Sequence, residues 1–151
     1  MNASSVAWFR TPAGVDSSSA FKYAELAGRL LLAGLFFLSG LSKLGSGYAT
    51  AAGYMSAYGV PTTLLPLVIL TELGAGAAVI VGWHTRIASF LLAGYTLLAA
   101  AIFHSKFGDQ TQFTMFLEHL AIIGGLLLLI GHGAGRLSLD HRWAATRRSC
   151  L

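Results

Sequence analysis

Apolar residues run almost unbroken through four stretches, Leu26 to Leu44, Leu64 to Trp83, Ile87 to Phe103 and Phe113 to Ile130. Each is near the ~20 residues that a helix needs to cross a hydrocarbon core of ~30 Å. The fourth is the least clean, because Glu118 and His119 fall in its first turns and only Ala121 to Ile130 is continuously apolar. Between the first two stretches, residues 45–60 carry no charge but hold Tyr48, Tyr54 and Tyr58. Tyrosine rings favour the membrane interface, so this segment is expected to be a short helix in the headgroup layer. Pro61 ends it, Thr62 or Thr63 can cap the second span, and Pro66 is tolerated in that span's first turn. The pattern therefore predicts an all-α integral membrane four-helix bundle with a short interfacial segment between helices one and two. Its organisation reads as a polar cytoplasmic segment over 1–25, a membrane domain over 26–135 and a basic cytoplasmic tail over 136–151.

Composition agrees with that reading. Of 151 residues, 55% are hydrophobic and 11% charged, against ~25% charged in an ordinary soluble domain. One membrane domain with no soluble module is therefore expected. The formal charge of +4 does not point to nucleic acid, because the basic residues are not gathered with aromatics on a soluble face. The single Cys150 excludes a disulfide framework, a CxxC redox pair and a cysteine metal site. No charged-then-apolar leader with a cleavage site precedes the first span, so no removable signal peptide is expected. An even number of spans puts both termini on one side, together with Arg10, Lys22, Arg29, Arg86, Arg136, Arg142, Arg147 and Arg148, leaving Lys43 and Lys106 opposite. By the positive-inside rule both termini are expected in the cytoplasm. The basic tail with Trp143 could rest on an anionic leaflet, or simply carry the topology signal.

Ionisable residues inside a span are costly and so are candidates for function. Glu72 falls near the middle of the second span, followed by Gly74, Ala75 and Gly76, small residues that let a neighbouring helix approach. It can be a hydrogen-bonded packing residue or a ligand- or proton-exchanging acid. On the fourth span Glu118 and His119 point about 100° apart. Lys43 and His104 fall at the ends of spans one and three, so Lys43, His104, Glu118 and His119 could form one polar cluster; each taken alone could equally be a snorkelling or helix-end residue. Glu72, Glu118 and His119 are the catalytic candidates, and Lys43, His104, Glu118 and His119 the cofactor-binding ones. No metal-ligand spacing is present, and no haem is expected from the two histidines. A quinone fits more easily, needing only an apolar slot with a few hydrogen-bonding or proton-exchanging groups. A weak internal repeat, Leu31-Leu32-Ala33-Gly34 against Leu91-Leu92-Ala93-Gly94, would relate the two halves by an axis along the membrane normal.

The chain also resembles the DoxX family of bacterial membrane proteins. The resemblance rests on Gly34 to Phe37 with Ser39-Gly40-Leu41-Ser42-Lys43-Leu44, then Tyr58-Gly59-Val60-Pro61, Glu72 with Gly74 and Gly76, and Gly82 before Arg86. It continues through His104, Glu118 and His119 to Gly133-Ala134-Gly135-Arg136-Leu137-Ser138-Leu139-Asp140, and so covers residues 24 to 143. It implies a four-helix protein of the bacterial inner membrane. Some relatives are described as quinol oxidase subunits or as the membrane subunit of a thiosulfate:quinone oxidoreductase, and others look like membrane partners of soluble thiol-redox and superoxide-detoxifying enzymes. Three functions stay open. One is a quinone-linked oxidoreductase subunit. A second is a non-enzymatic scaffold for soluble redox or detoxifying partners. The third is a small transporter with Glu72 on its path. Glycine- and alanine-rich faces could also serve a homo-oligomer, or packing within one bundle.

Overall fold

The computed structural model describes residues 17–148, and all regular structure among them is helical. Arg10, Cys150 and the polar segment before residue 17 lie outside the described residues, as do the side chains of Arg147 and Arg148. Helix α1 is Ser17–Ser42, α2 is Gly47–Ala57, α3 is Thr62–Val81, α4 is Thr85–Phe103, α5 is Gln110–His132 and α6 is Leu139–Arg148. Four of these, with bounds Ser19–Ser42, Thr62–Val81, Thr85–Phe103 and Gln110–His132, are long and apolar enough to cross a membrane. They match the four apolar stretches to within a few residues, except that α1 begins further upstream.

Local chemistry sets the boundaries. Gly82, at φ +73°, ends α3 in the left-handed conformation, with Trp83 N–H donating to Ala78 O at 2.9 Å and Gly82 N–H to Val79 O at 3.2 Å. This pairing satisfies carbonyls that a helix end leaves open. Asp109 caps α5 by accepting from Thr111 N–H at 2.8 Å. Inside α3 the helix widens into a π turn over Thr71–Ala75, where the Thr71 hydroxyl donates to Leu67 O at 2.8 Å. Such turns are rare and concentrate at functional sites.

α1 and α3 run antiparallel and close. A β-carbon on Gly76 would lie 3.2 Å from the Phe37 amide nitrogen, and one on Gly40 2.9 Å from the Leu73 side chain. Gly76 is thus the small residue that admits the neighbour, while Gly74 faces open space. One core joins Ala33, Phe36, Val79, Leu92 and Leu126 across all four long helices. α1 stops well short of α3, since the Gly40 contact is with Glu72 and Leu73, about ten residues before the far end of α3 is reached. α2 fills the space left above it. Its Met55 is buried with Leu65 and Ile69, and Tyr54 and Tyr58 meet Phe103 at ring separations of 5.1 Å. The segment expected in the headgroup layer is a helix, but it is packed down on the outer halves of α3 and α4. α5 has Leu126 as its one fully buried residue and packs Ile122 and Leu129 partly against the core, while Leu117, Leu120, Leu127 and Leu128 stay exposed, as on a lipid-facing side.

Candidate functional site

The three helices α1, α3 and α4 bring four polar side chains together in the middle of the bundle. Glu72, on the π turn, is only 3% exposed at its side chain. Its Oε1 accepts from Tyr95 Oη at 2.7 Å, Lys43 Nζ at 2.9 Å and Ser39 Oγ at 3.2 Å, and its Oε2 accepts from Lys43 Nζ at 2.8 Å. Lys43 Nζ also donates to Ser39 Oγ at 2.7 Å and to Ser39 O at 3.2 Å. Ser39 and Lys43 are four residues apart, so one face of α1 carries both. Glu72 is about ten residues from Gly82 and Tyr95 about ten from Thr85, which places both ~15 Å from the same end of the bundle, at mid-span.

An isolated carboxylate there would cost several kcal/mol; a cation and two hydroxyls offset that cost with charge-assisted bonds, which are roughly twice as strong as neutral ones. The Lys43 side chain is 22% exposed. The ion pair is therefore buried from the acid's side and partly open from the amine's. It is the one salt bridge among the described residues. Chemically, the arrangement is a carboxylate with three hydrogen-bond partners and proton-bearing groups on two neighbouring helices.

The four residues expected to cluster together do not do so. Lys43 lies at mid-span on Glu72, because α1 ends half a membrane short of α4. His104 and His119 do meet, with ring centroids 4.9 Å apart. His119 Nδ1–H donates to Met115 O at 2.7 Å, and His104 Nδ1 bonds Gln112 Oε1 at 2.8 Å. Because a carbonyl only accepts, the His119 bond places a proton on Nδ1, so that in the neutral ring Nε2 is the acceptor. Glu118, one position before His119, points to the exposed face of α5 and has no hydrogen-bond or ion-pair partner among the described residues. The ~100° step per residue allows only one of the two to face the bundle. At that end the cation is Lys106, whose ammonium lies 5.9 Å above the Tyr58 ring.

Ser39 and Tyr95 were not among the expected site residues. Tyr95 carries a hydroxyl in the centre of the third span, and Ser39 lies one turn before an intramembrane lysine; both signals are in the sequence, but neither names a partner.

A second polar assembly closes the opposite end, which we term the tail side. Arg29, 2% exposed, donates to Ala134 O and, at 2.8 Å, to Leu137 O. Asp140 accepts from His84 N–H at 2.8 Å and Thr85 N–H at 3.0 Å, and its own amide donates to Gly82 O at 2.8 Å. The start of the basic tail is thereby clasped to α1 and to the α3–α4 turn, with Asp140 acting as the N-cap of α4 from a distance in sequence. Burial pushes the Asp140 carboxyl up, but the amides of Thr85 and His84 outweigh it and hold it below the ordinary carboxylate range.

Comparison with known proteins places these features in context. The DoxX family model matches residues 24–105, just over half of the chain. That segment includes Ser39, Lys43, Glu72 and Tyr95, and ends before the fourth span. Over 94 residues the chain is 46% identical to the inner membrane protein YqjF of Escherichia coli K12, covering 62% of this chain and 72% of that protein. It is 32% identical over 103 residues to the inner membrane protein YphA of the same organism, covering 64% of this chain and 74% of the relative. No solved structure matches at a significant level. A multi-pass membrane protein with four candidate spans, similar to inner membrane proteins and matched over residues 24–105 by this family model, belongs to the DoxX family.

Proposed function

We propose that the protein is the membrane subunit of a quinone-linked redox system, in which the Glu72 network exchanges protons and the His104–His119 pair receives the head group. The observation that carries the reading is the convergence of Lys43, Tyr95 and Ser39 on one buried carboxylate at mid-span. That is more polar investment than fixing two helices requires, and Gly40 and Gly76 already fix α1 against α3. A quinone supplies two electrons' and two protons' worth of carrying capacity inside the bilayer. The donor set fits its reduced form better than its oxidised one. All of Lys43's protons are engaged within the network, whereas the His119 Nε2 lone pair can accept a hydrogen bond from a hydroxyl and then hold its proton. Glu118, exposed on α5, has no part in this reading. Electrons need a second component, so a soluble protein partner is part of the proposal.

Orientation follows from charge. With Lys43 consumed by Glu72, Lys106 is the one described cation at the far end, against Lys22, Arg29, Arg86, Arg136 and Arg142 on the tail side. The proposal therefore puts both termini in the cytoplasm. Organic extraction and mass spectrometry of the detergent-purified protein test the function. Near-stoichiometric quinone that falls in His119→Ala supports it, and protein free of quinone that retains soluble partners points instead to a scaffold.

A further inference from the structure

The tail side holds a cavity of about 930 Å³ that is open to the outside and lined by Lys22, Arg86 and Arg136. Among the described residues none of the three has a carboxylate within ion-pair distance, and Arg86 donates only to Gly131 O, at 3.3 Å. Two acids reach the cavity. Asp140 is already committed to the amides of His84 and Thr85, which leaves Glu25 alone against three cations. A second cavity of about 330 Å³ continues from it between α1 and α5, sharing Glu25 and residues 132–135. This slot is apolar, lined by Gly28, Leu32, Gly125, Leu128 and Leu129. Gly125 is about seven residues from the end of α5, so the slot runs ~10 Å along the bundle. Arg29 also lines it. Its guanidinium is 2% exposed, bonds two carbonyls but no carboxylate, and has an Nε–H without any partner. Asp140 acts on this buried cation only through its longer-range field and is itself bonded to two amides, so the free Nε–H donor still favours an anion nearby.

We propose that an anionic phospholipid binds here, its phosphate in the basic cavity against Arg86, Arg136 and Lys22, and an acyl chain in the slot between α1 and α5. A cationic cleft alone would suit any phosphate or an acidic peptide. The continuous apolar slot is what selects an amphiphile, and its place at the tail-side membrane boundary is where headgroups lie. The proposal is independent of any quinone chemistry at Glu72 or His119.

The test uses full-length delipidated protein and native mass spectrometry with phosphatidylglycerol, phosphatidylcholine or inorganic phosphate added. Wild type is expected to retain phosphatidylglycerol at least tenfold better than phosphatidylcholine. Each basic residue near an anionic surface contributes about fivefold, so Arg86→Gln with Arg136→Gln should weaken retention about thirtyfold. Both residues are exposed, so the fold should tolerate the change. Gly28→Leu keeps every charge and projects into open space; it should lower retention by blocking the slot. Equal retention of the two lipids overturns the proposal, as does unchanged retention in both variants. Competition by inorganic phosphate as effective as the lipid would show a headgroup site without a chain site, and would also overturn it.

Discussion

Replacing Lys43 by Met removes the only cation from Glu72 and should cost more than removing the acid. With lysine gone, Glu72 keeps Tyr95 and Ser39 but holds an unbalanced charge at a side chain that is 3% exposed. Breaking one partner of a buried pair costs ~3–5 kcal/mol in soluble proteins, and polar contacts in bilayers run lower because the unfolded state also finds partners. We therefore expect about 3 kcal/mol for Lys43→Met. Glu72→Gln should cost about 1–2 kcal/mol, because the freed ammonium keeps Ser39 and, at 22% exposure, can reach water. The double variant should cost ~2 kcal/mol less than the two singles together, the size expected of residues in direct contact. Reversible unfolding in mixed micelles, followed by tryptophan fluorescence, measures all four proteins. Additive single costs, or Glu72→Gln costing more than Lys43→Met, would refute the account of the pair as a buried acid held by a half-open amine.

Three further outcomes follow from particular contacts. Tyr95→Phe deletes the 2.7 Å bond to Glu72 Oε1; it should cost about 1 kcal/mol and shift the carboxylate stretch of Glu72 in the infrared, a shift absent from a Tyr48→Phe control. Gly82→Ala forces a left-handed residue to carry a β-carbon 2.5 Å from that of Ser138 and 3.0 Å from Arg29 Nη1; the backbone alone costs about 1–2 kcal/mol, and hydrogen exchange at Leu137 to Asp140 should rise. Asp140, depressed in the folded state, contributes stability that is fully present above its unfolded value of ~3.9 and is lost as pH falls through the lower folded value. Protection of the Thr85 amide should accordingly hold from neutral pH to about 4 and fall only below it, and in Asp140→Asn it should be weak at every pH.

The spans were legible because the bilayer makes hydrophobic length a direct requirement, and residues 64–83 and 87–103 had to be helices whatever they packed against. Depth was not legible. Lys43 reads as the end of a span because apolar sequence stops there, yet α1 gives out at mid-bundle and α2 supplies the missing half by folding Met55 onto Leu65 and Ile69. Nothing in an uncharged segment with three tyrosines distinguishes lying on a membrane from packing into it. That one misplacement moved the lysine half a membrane, from the company of His104 to that of Glu72. The adjacent pair Glu118-His119 shows the other limit: either could face inward, and the helix phase that chooses His119 is set by contacts of α5 with α4, which are properties of the assembled bundle. Intramembrane charge found Glu72 without its partners because cost marks a residue, whereas partnership depends on which helices touch. The residues that complete the network, Ser39 and Tyr95, are uncharged, so the energetic argument passes over them. A polar hydroxyl in mid-span on a helix adjoining a buried acid is the added signal that would have found both, and it becomes usable only once α1, α3 and α4 are known to be neighbours.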